Sequence, residues 1–193
     1  TGNADYSKSL LAKAKTSCPD AYARATDADK GITWDIAQSA TNQKAAVLIT
    51  DALKAAGINI KFNYIPSGQY YSTVMNPEKQ NDISSAGWGA DWANASTVIP
   101  ELFTKEGGFP MSQNWDDAAY AAFKKKSDAA LSEPDRKKQG KMWAELNQYV
   151  MDQMWVIPGD FSKTQEMWGS KLTGVFFWEP QGAPSFGDIQ IVK

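Results

Sequence analysis

Apolar residues recur at helical spacing in some stretches of the chain and alternate with polar ones in others. Tyr6–Lys15 gathers Leu10, Leu11 and Ala14 on one helical face and leaves Lys8, Lys13 and Lys15 to solvent. Ser17–Gly31, with Pro19 and the run Asp27-Ala28-Asp29-Lys30-Gly31, reads as loop. Gly31–Ile36 reads as a strand that enters a polar loop, Gln38–Asn42. From Gln43 to Ala56 the residues Ala45, Leu48, Ile49, Ala52, Leu53 and Ala56 repeat as a helix face, and Gly57 suits a left-handed C-terminal cap. Ile58–Tyr64 alternates as a second strand, Pro66-Ser67-Gly68 turns it into a short helix over Gln69–Met75, and Asp82–Gly87 reads as a third strand. This strand–helix–strand–helix–strand order predicts an α/β layer with right-handed crossovers.

The second half is richer in helix. Val98–Phe103 is a short helix, and Asp116–Ala130 is amphipathic with Tyr120, Phe123 and Ala130 inward. Ser132, Pro134 and Asp135 read as the start of the next helix, with Ser132 as cap. That helix carries Met142, Trp143, Leu146, Tyr149 and Val150 to about Gln153. A strand over Trp155–Pro158, a Gly- and Pro-containing stretch and a last strand, Ile189–Val192, complete the pattern.

Composition narrows the chemistry. The 193 residues suit one domain, and a net charge of −2 offers no basic surface for nucleic acid. With His 0, neither a Ser-His-Asp nor a Cys-His centre can form, and with Cys 1 a zinc site lacks ligands. An enzyme here would have to use carboxylates, Lys, Tyr or an external cofactor. No cofactor or metal is predicted: the acidic run at Asp27 faintly resembles a calcium loop, but its twelfth position falls on Gln38. Cys18 is either a lone buried thiol or half of a bridge to another segment. There is no signal-like or membrane-spanning apolar run, and the polar opening suggests a mature or trimmed piece of a longer chain. Trp 8 points to burial or to ligand stacking.

Ligands in such sheets bind at the carboxyl ends of the strands. Three loops qualify: Gln38–Asn42, Pro66–Tyr70 and Trp88–Ser96. The third holds the most chemistry, Gly87-Trp88-Gly89-Ala90-Asp91-Trp92. Gly89 lets a ligand approach the backbone closely. Asp91 among aromatics would be costly as an isolated ion, and an incoming ammonium would offset that cost. Equally, Asp91 could cap the next helix or pair internally, with the Trp side chains as core. Asn94-Ala95-Ser96 matches a glycosylation sequon, and Asp116-Asp117 suit a helix N-terminus better than a catalytic pair. Trp143, Trp155, Trp168 and Trp178 are assigned to packing, in the core or against a further part of the protein.

Gly-Trp-Gly-Ala-Asp-Trp, preceded by Asp82-Ile83 and followed by an apolar helix ending Leu102-Phe103, resembles the family 5 bacterial extracellular solute-binding proteins. These are the peptide- and oligopeptide-binding components of ABC importers. Asn42–Ile58, Asn114–Ala130 and Asp135–Pro158 fit the family in the same order, so the resemblance covers nearly the whole chain. It implies an α/β, periplasmic-binding-protein-like lobe with a central mixed sheet flanked by helices. Residues 1–172 would be the second, C-terminal lobe, and residues 173–193 a tail returning toward a first lobe that lies outside this sequence.

The resemblance implies no catalytic residues. Asp91 would pair with a peptide's α-ammonium, with Trp88, Gly89 and Trp92 on the same wall. Lys44 is the nearest match to the cation that holds the ligand carboxylate in some members, and Asn42 and Asn114 join the ligand contacts. Where many relatives read Asp-Tyr-Pro-Asp-Pro, this chain reads Asp91-Trp92-Ala93-Asn94-Ala95, without the prolines. The implied partners are a peptide, a membrane permease and the missing lobe. The implied location is extracytoplasmic, periplasmic or as a cell-surface lipoprotein. Two alternatives stay open: the same fold carrying an oligosaccharide, or a carboxylate-based hydrolase.

Overall fold

In a computed structural model, the structure describes residues 2–108, 115–159, 165–179 and 182–192. The chain divides into two compact units, Thr1–Ala86 and Gly87–Lys193.

The first unit opens with α1 (Ala4–Ser17), capped by Asn3, whose side chain accepts from the Tyr6 amide. The expected loop that follows is instead partly helical: α2 spans Pro19–Thr26. Pro19 sits in its first turn, where a missing N–H costs nothing, and Asp20 suits the positive helix end. A proline read as a breaker is here a helix starter. Cys18 lies between the two helices and is exposed, so the buried-thiol reading does not hold.

Then come β1 (Ile32–Ala37), α3 (Ala40–Ala55), β2 (Ile60–Ile65), a short 3-10 turn at Ser67–Gln69, α4 (Tyr70–Val74) and β3 (Ile83–Ser84). β1 is central, in the order β2-β1-β3, and both pairings are parallel. The α/β class therefore stands, while the three-stranded sheet itself is parallel throughout. Antiparallel pairing occurs only in separate ribbons among the described residues of the second unit. β3 is shorter than the expected Asp82–Gly87, and just before it the Asp82 carboxylate accepts from the Thr33 amide (2.8 Å) and pairs with Arg24 at 2.6 Å.

α3 begins at Ala40, capped by Ser39, inside what the polar pattern predicts as loop. It ends in a Schellman arrangement: the Gly57 amide donates to Lys54 and the Ile58 amide to Leu53, with Gly57 at φ +89°. Its buried side matches the expected face in part: Ala45, Ile49 and Leu53 are half-buried, and Leu48 is the clear departure. Ala46 and Ala56 are buried, whereas Leu48 is 72% exposed. Ala45–Ile49 is an unbroken apolar run, so the sequence pattern alone does not choose which part of it faces the sheet.

A polar knot holds the sheet. Asp35 on β1 is fully buried and accepts from the Asn63 and Asn81 side-chain amides (2.7 Å each) and from the Asn81 backbone amide (3.0 Å). Beside it the Tyr70 hydroxyl donates to the carbonyls of Ser85 (2.5 Å) and Asp35 (3.2 Å). Burial pushes the Tyr70 phenol above its usual range.

The second unit contains α5 (Ile99–Phe103), α6 (Asp117–Ser132) and α7 (Arg136–Asp152). Its core joins Ile99, Phe103, Phe123, Ala130, Trp143, Leu146 and Val150. Trp115 and Trp155 pack against that core and stack on each other at 3.4 Å with planes 9° apart. α7 starts later than expected. Asp135 is its cap, accepting from the Lys138 amide at 2.7 Å, and Ser132 is the last residue of α6. Pro134 forces extended backbone on Glu133 and so separates the helices.

Trp155–Pro158 is irregular rather than a strand. α7 ends in a second Schellman arrangement with Met154 at φ 57°, which turns the chain so that Trp155 inserts toward the core. Beyond it, β4 (Leu172–Thr173) pairs with β7 (Gln190–Ile191), and β5 (Phe177–Trp178) pairs with β6 (Ala183–Pro184), both antiparallel. The tail folds back on its own neighbourhood in two small ribbons and keeps Phe176, Phe186 and Ile191 exposed. No helix among the described residues is long and apolar enough to cross a membrane.

Candidate functional site

The loop after β3 is built around Asn94. Its side-chain oxygen accepts from the Ser96 amide (2.9 Å), which starts a 3-10 turn over Ala95–Thr97. Pro100 then lies in the first turn of α5. The Asn94 amide nitrogen donates to Gln139 Oε1 at 2.9 Å, and Gln139, itself buried, donates to the Ala130 carbonyl (2.9 Å). Arg136 donates to the same Gln139 oxygen. The loop is thereby fastened to the junction of α6 and α7. The sequon reading of Asn94 gives way to this structural use, since both ends of its amide are engaged.

On this base the turn organises the expected site residues. The Thr97 hydroxyl donates to Asp91 Oδ2 at 2.7 Å and accepts from the Asp91 amide at 3.2 Å. The Thr97 carbonyl accepts from Trp88 Nε1 at 2.8 Å, and Ser96 Oγ accepts from Trp92 Nε1 at 3.2 Å. Both indole N–H groups thus point back into the chain. Trp88 is 39% and Trp92 55% exposed, and Asp91 is exposed as well. The two readings of Asp91 combine: one carboxylate oxygen is held internally, and the charge still faces solvent. Gly108 and Glu101 stand behind Trp88, with Glu101 Oε2 accepting from the Gly108 amide at 2.8 Å. A Cβ at Gly87 or Gly89 would meet no heavy atom within 4 Å, so no crowding within this chain demands glycine there.

The structure places Trp88, Gly89, Asp91 and Trp92 together in the second unit. Asn42 and Lys44 belong to the first, in the opening turns of α3. Asn42 is already used: its side chain donates to the Ala37 carbonyl at 2.6 Å and ties the end of β1 to α3. Lys44 is exposed and makes no ion pair among the described residues. Asn114 lies outside the described residues. A shallow groove in the first unit, between α3 and β2, is lined by Ala46, Val47, Thr50, Asp51, Ile60, Phe62 and Tyr64. It includes none of the expected site residues.

Of the remaining candidates, Asp116 caps α6 by accepting from the Ala119 amide and Asp117 pairs with Lys105 at 3.6 Å. Trp143 and Trp155 are packing residues as expected, while Trp168 and Trp178 are about half exposed in this chain, which leaves the inter-lobe part of the expectation for them. Thr97 was not singled out from the sequence. The available signal was an Asn-x-Ser-Thr cluster ahead of an apolar helix with an early proline, which is a helix-entry pattern before it is a sequon.

No protein-family model matches the sequence, and a search of curated proteins finds no match. Solved structures do match. Clavulanic acid biosynthesis oligopeptide binding protein 2 superposes with a TM-score of 0.72 at 20% identity, over 100% of this chain and 34% of that one. AppA, the oligopeptide-binding protein from Bacillus subtilis, solved with a nonapeptide, superposes at 0.65 and 19% identity, over 99% of this chain and 38% of its own. The Escherichia coli murein tripeptide binding protein MppA gives 0.61 at 19%, covering 96% and 35%. The fold is therefore that of part of these oligopeptide-binding proteins, and this chain spans little more than a third of their length.

Proposed function

We propose that this chain is the second lobe and tail of a solute-binding protein that captures a peptide for an ABC importer outside the cytoplasm. The fold is the premise, and the neighbours' names describe binding proteins rather than enzymes. The observation that carries the reading is the exposed Asp91 carboxylate, held by the same turn that takes the Trp88 and Trp92 indole N–H groups. A preset carboxylate beside flat apolar walls is suited to an ammonium attached to an apolar or extended chain. Trp88, Gly89 and Trp92 form the wall in this reading. The contacts of the first lobe, on residues outside this sequence, would complete the site by closing over the ligand. The exposed aromatics of residues 173–193 fit a tail that packs on that lobe.

The test is isothermal calorimetry on the full-length parent protein with a pool of tri- to pentapeptides. Asp91→Ala is expected to weaken binding about tenfold or more, as loss of a charge-assisted hydrogen bond implies. Unchanged affinity would remove Asp91 from the site. A glycan panel run alongside gives the sugar-binding alternative its own measurement.

A further inference from the structure

We infer that Thr97 is the positioning residue that presets the Asp91 carboxylate and the Trp88 indole before any ligand arrives. It is fully buried, yet each of its polar groups on the loop side is engaged. The hydroxyl donates to Asp91 Oδ2 and accepts from the Asp91 amide, so side chain and backbone of the same residue are clamped by one oxygen. Its carbonyl takes the Trp88 indole N–H. Thr97 is in turn fixed by the turn that Asn94 caps and Gln139 anchors, and its own amide donates to the Asn94 carbonyl at 3.2 Å.

A carboxylate on an exposed glycine-containing loop would otherwise sample many rotamers, and ordering it on binding would cost affinity. A buried hydroxyl that satisfies one of its oxygens removes that freedom while leaving the other side of the group open. Serine would preserve the hydroxyl. Valine would preserve the branched shape and remove both hydrogen bonds.

The ligand-specificity part of this inference rests on Asp91 being the ammonium acceptor, so the experiment separates the two. First, amide hydrogen exchange is followed by NMR on the ligand-free 193-residue chain. Thr97→Val is expected to lose protection at the Asp91 amide, Thr97→Ser to retain it, with thermal melts confirming that both variants fold. Wild-type protection in Thr97→Val overturns the inference without reference to any ligand. Second, the parent protein is titrated with the tri- to pentapeptide pool carrying free amino termini, and with the same pool N-acetylated. The free-over-acetylated preference is expected to fall about tenfold in Thr97→Val and to persist in Thr97→Ser, consistent with one hydrogen bond to a charged group. Wild-type preference that survives in Thr97→Val overturns the positioning role and leaves the Asp91 reading intact. Equal affinity of the wild type for both pools overturns the Asp91 reading instead, and the exchange result then decides Thr97 alone.

Discussion

Replacing Met154 by glycine should make this protein more stable. Met154 occupies the left-handed position that ends α7, at φ 57°, with its amide donating to Met151 and the Trp155 amide to Val150. The same arrangement ends α3, where the residue is Gly57. A side chain in that conformation brings Cβ close to the carbonyl and costs about 1–2 kcal/mol. Glycine removes this cost but gives up about 0.5–1 kcal/mol to its greater freedom in the unfolded chain. The Met154 side chain is 70% exposed, so little buried area is lost with it. The net gain is about 0.5–1 kcal/mol, which for a chain of this size raises Tm by about 1–4 °C. Scanning calorimetry on the wild type, Met154→Gly and Met154→Ala measures it. Alanine loses the same side chain without relieving the backbone, so it should gain nothing. A Tm for Met154→Gly at or below that of Met154→Ala would refute the argument. Gly57→Ala is the reciprocal test and should lower Tm, since its Cβ would also press on Leu11 at 3.2 Å.

Other outcomes follow from the same structure. Asp35→Ala leaves three donors facing an empty site, and chemical denaturation should show a loss of about 3 kcal/mol; Asp35→Asn should lose less, because its remaining carbonyl oxygen can still accept from the two Asn side chains. Gly89→Ala should leave Tm unchanged, because its Cβ would meet nothing within 4 Å, while calorimetry on the parent protein should show weaker peptide binding if the ligand backbone passes there. The Lys138 ammonium beside Glu133 holds its carboxyl below the ordinary 4.5, and backbone amides of Lys30 and Asp29 hold Asp27 below 3.8. Carboxyls depressed by folding stabilise above their ordinary values and lose that contribution as pH falls through the depressed ones, so Tm should drop on acidification below about 4.5, and Glu133→Gln should flatten the drop.

Much of the architecture was legible because it rests on local chemistry. The alternation in Ile58–Tyr64, the inward set Tyr120, Phe123 and Ala130, and Gly57 as a stop each follow from spacing or backbone preference within a few residues. The motif around Asp91 was legible for the same reason, as a short run of glycine, tryptophan and acid after a strand. The errors lie in signals whose meaning depends on flanking backbone geometry or on tertiary partners rather than on spacing. Pro19 starts a helix or breaks one according to what precedes it. Trp155–Pro158 has strand composition, but Met154 turns it so that Trp155 meets Trp115 in an aromatic stack. Leu48 has core composition and stays exposed, because its place in the unbroken apolar run Ala45–Ile49 does not by itself say which residues meet the sheet.

What residue order alone established was the α/β class, most of the elements and the identity of the acidic, aromatic loop. What the tertiary structure decided was which hydrogen bonds give that loop a shape. The Thr97 hydroxyl meets Asp91 within one loop, whereas Gln139 reaches Asn94 from 45 residues away only once α6 and α7 pack. Asp35 likewise becomes a keystone only when Asn63 and Asn81 arrive from 28 and 46 residues away. Hydrophobic period is a local property of the chain, whereas polar satisfaction depends on contacts that exist only after folding.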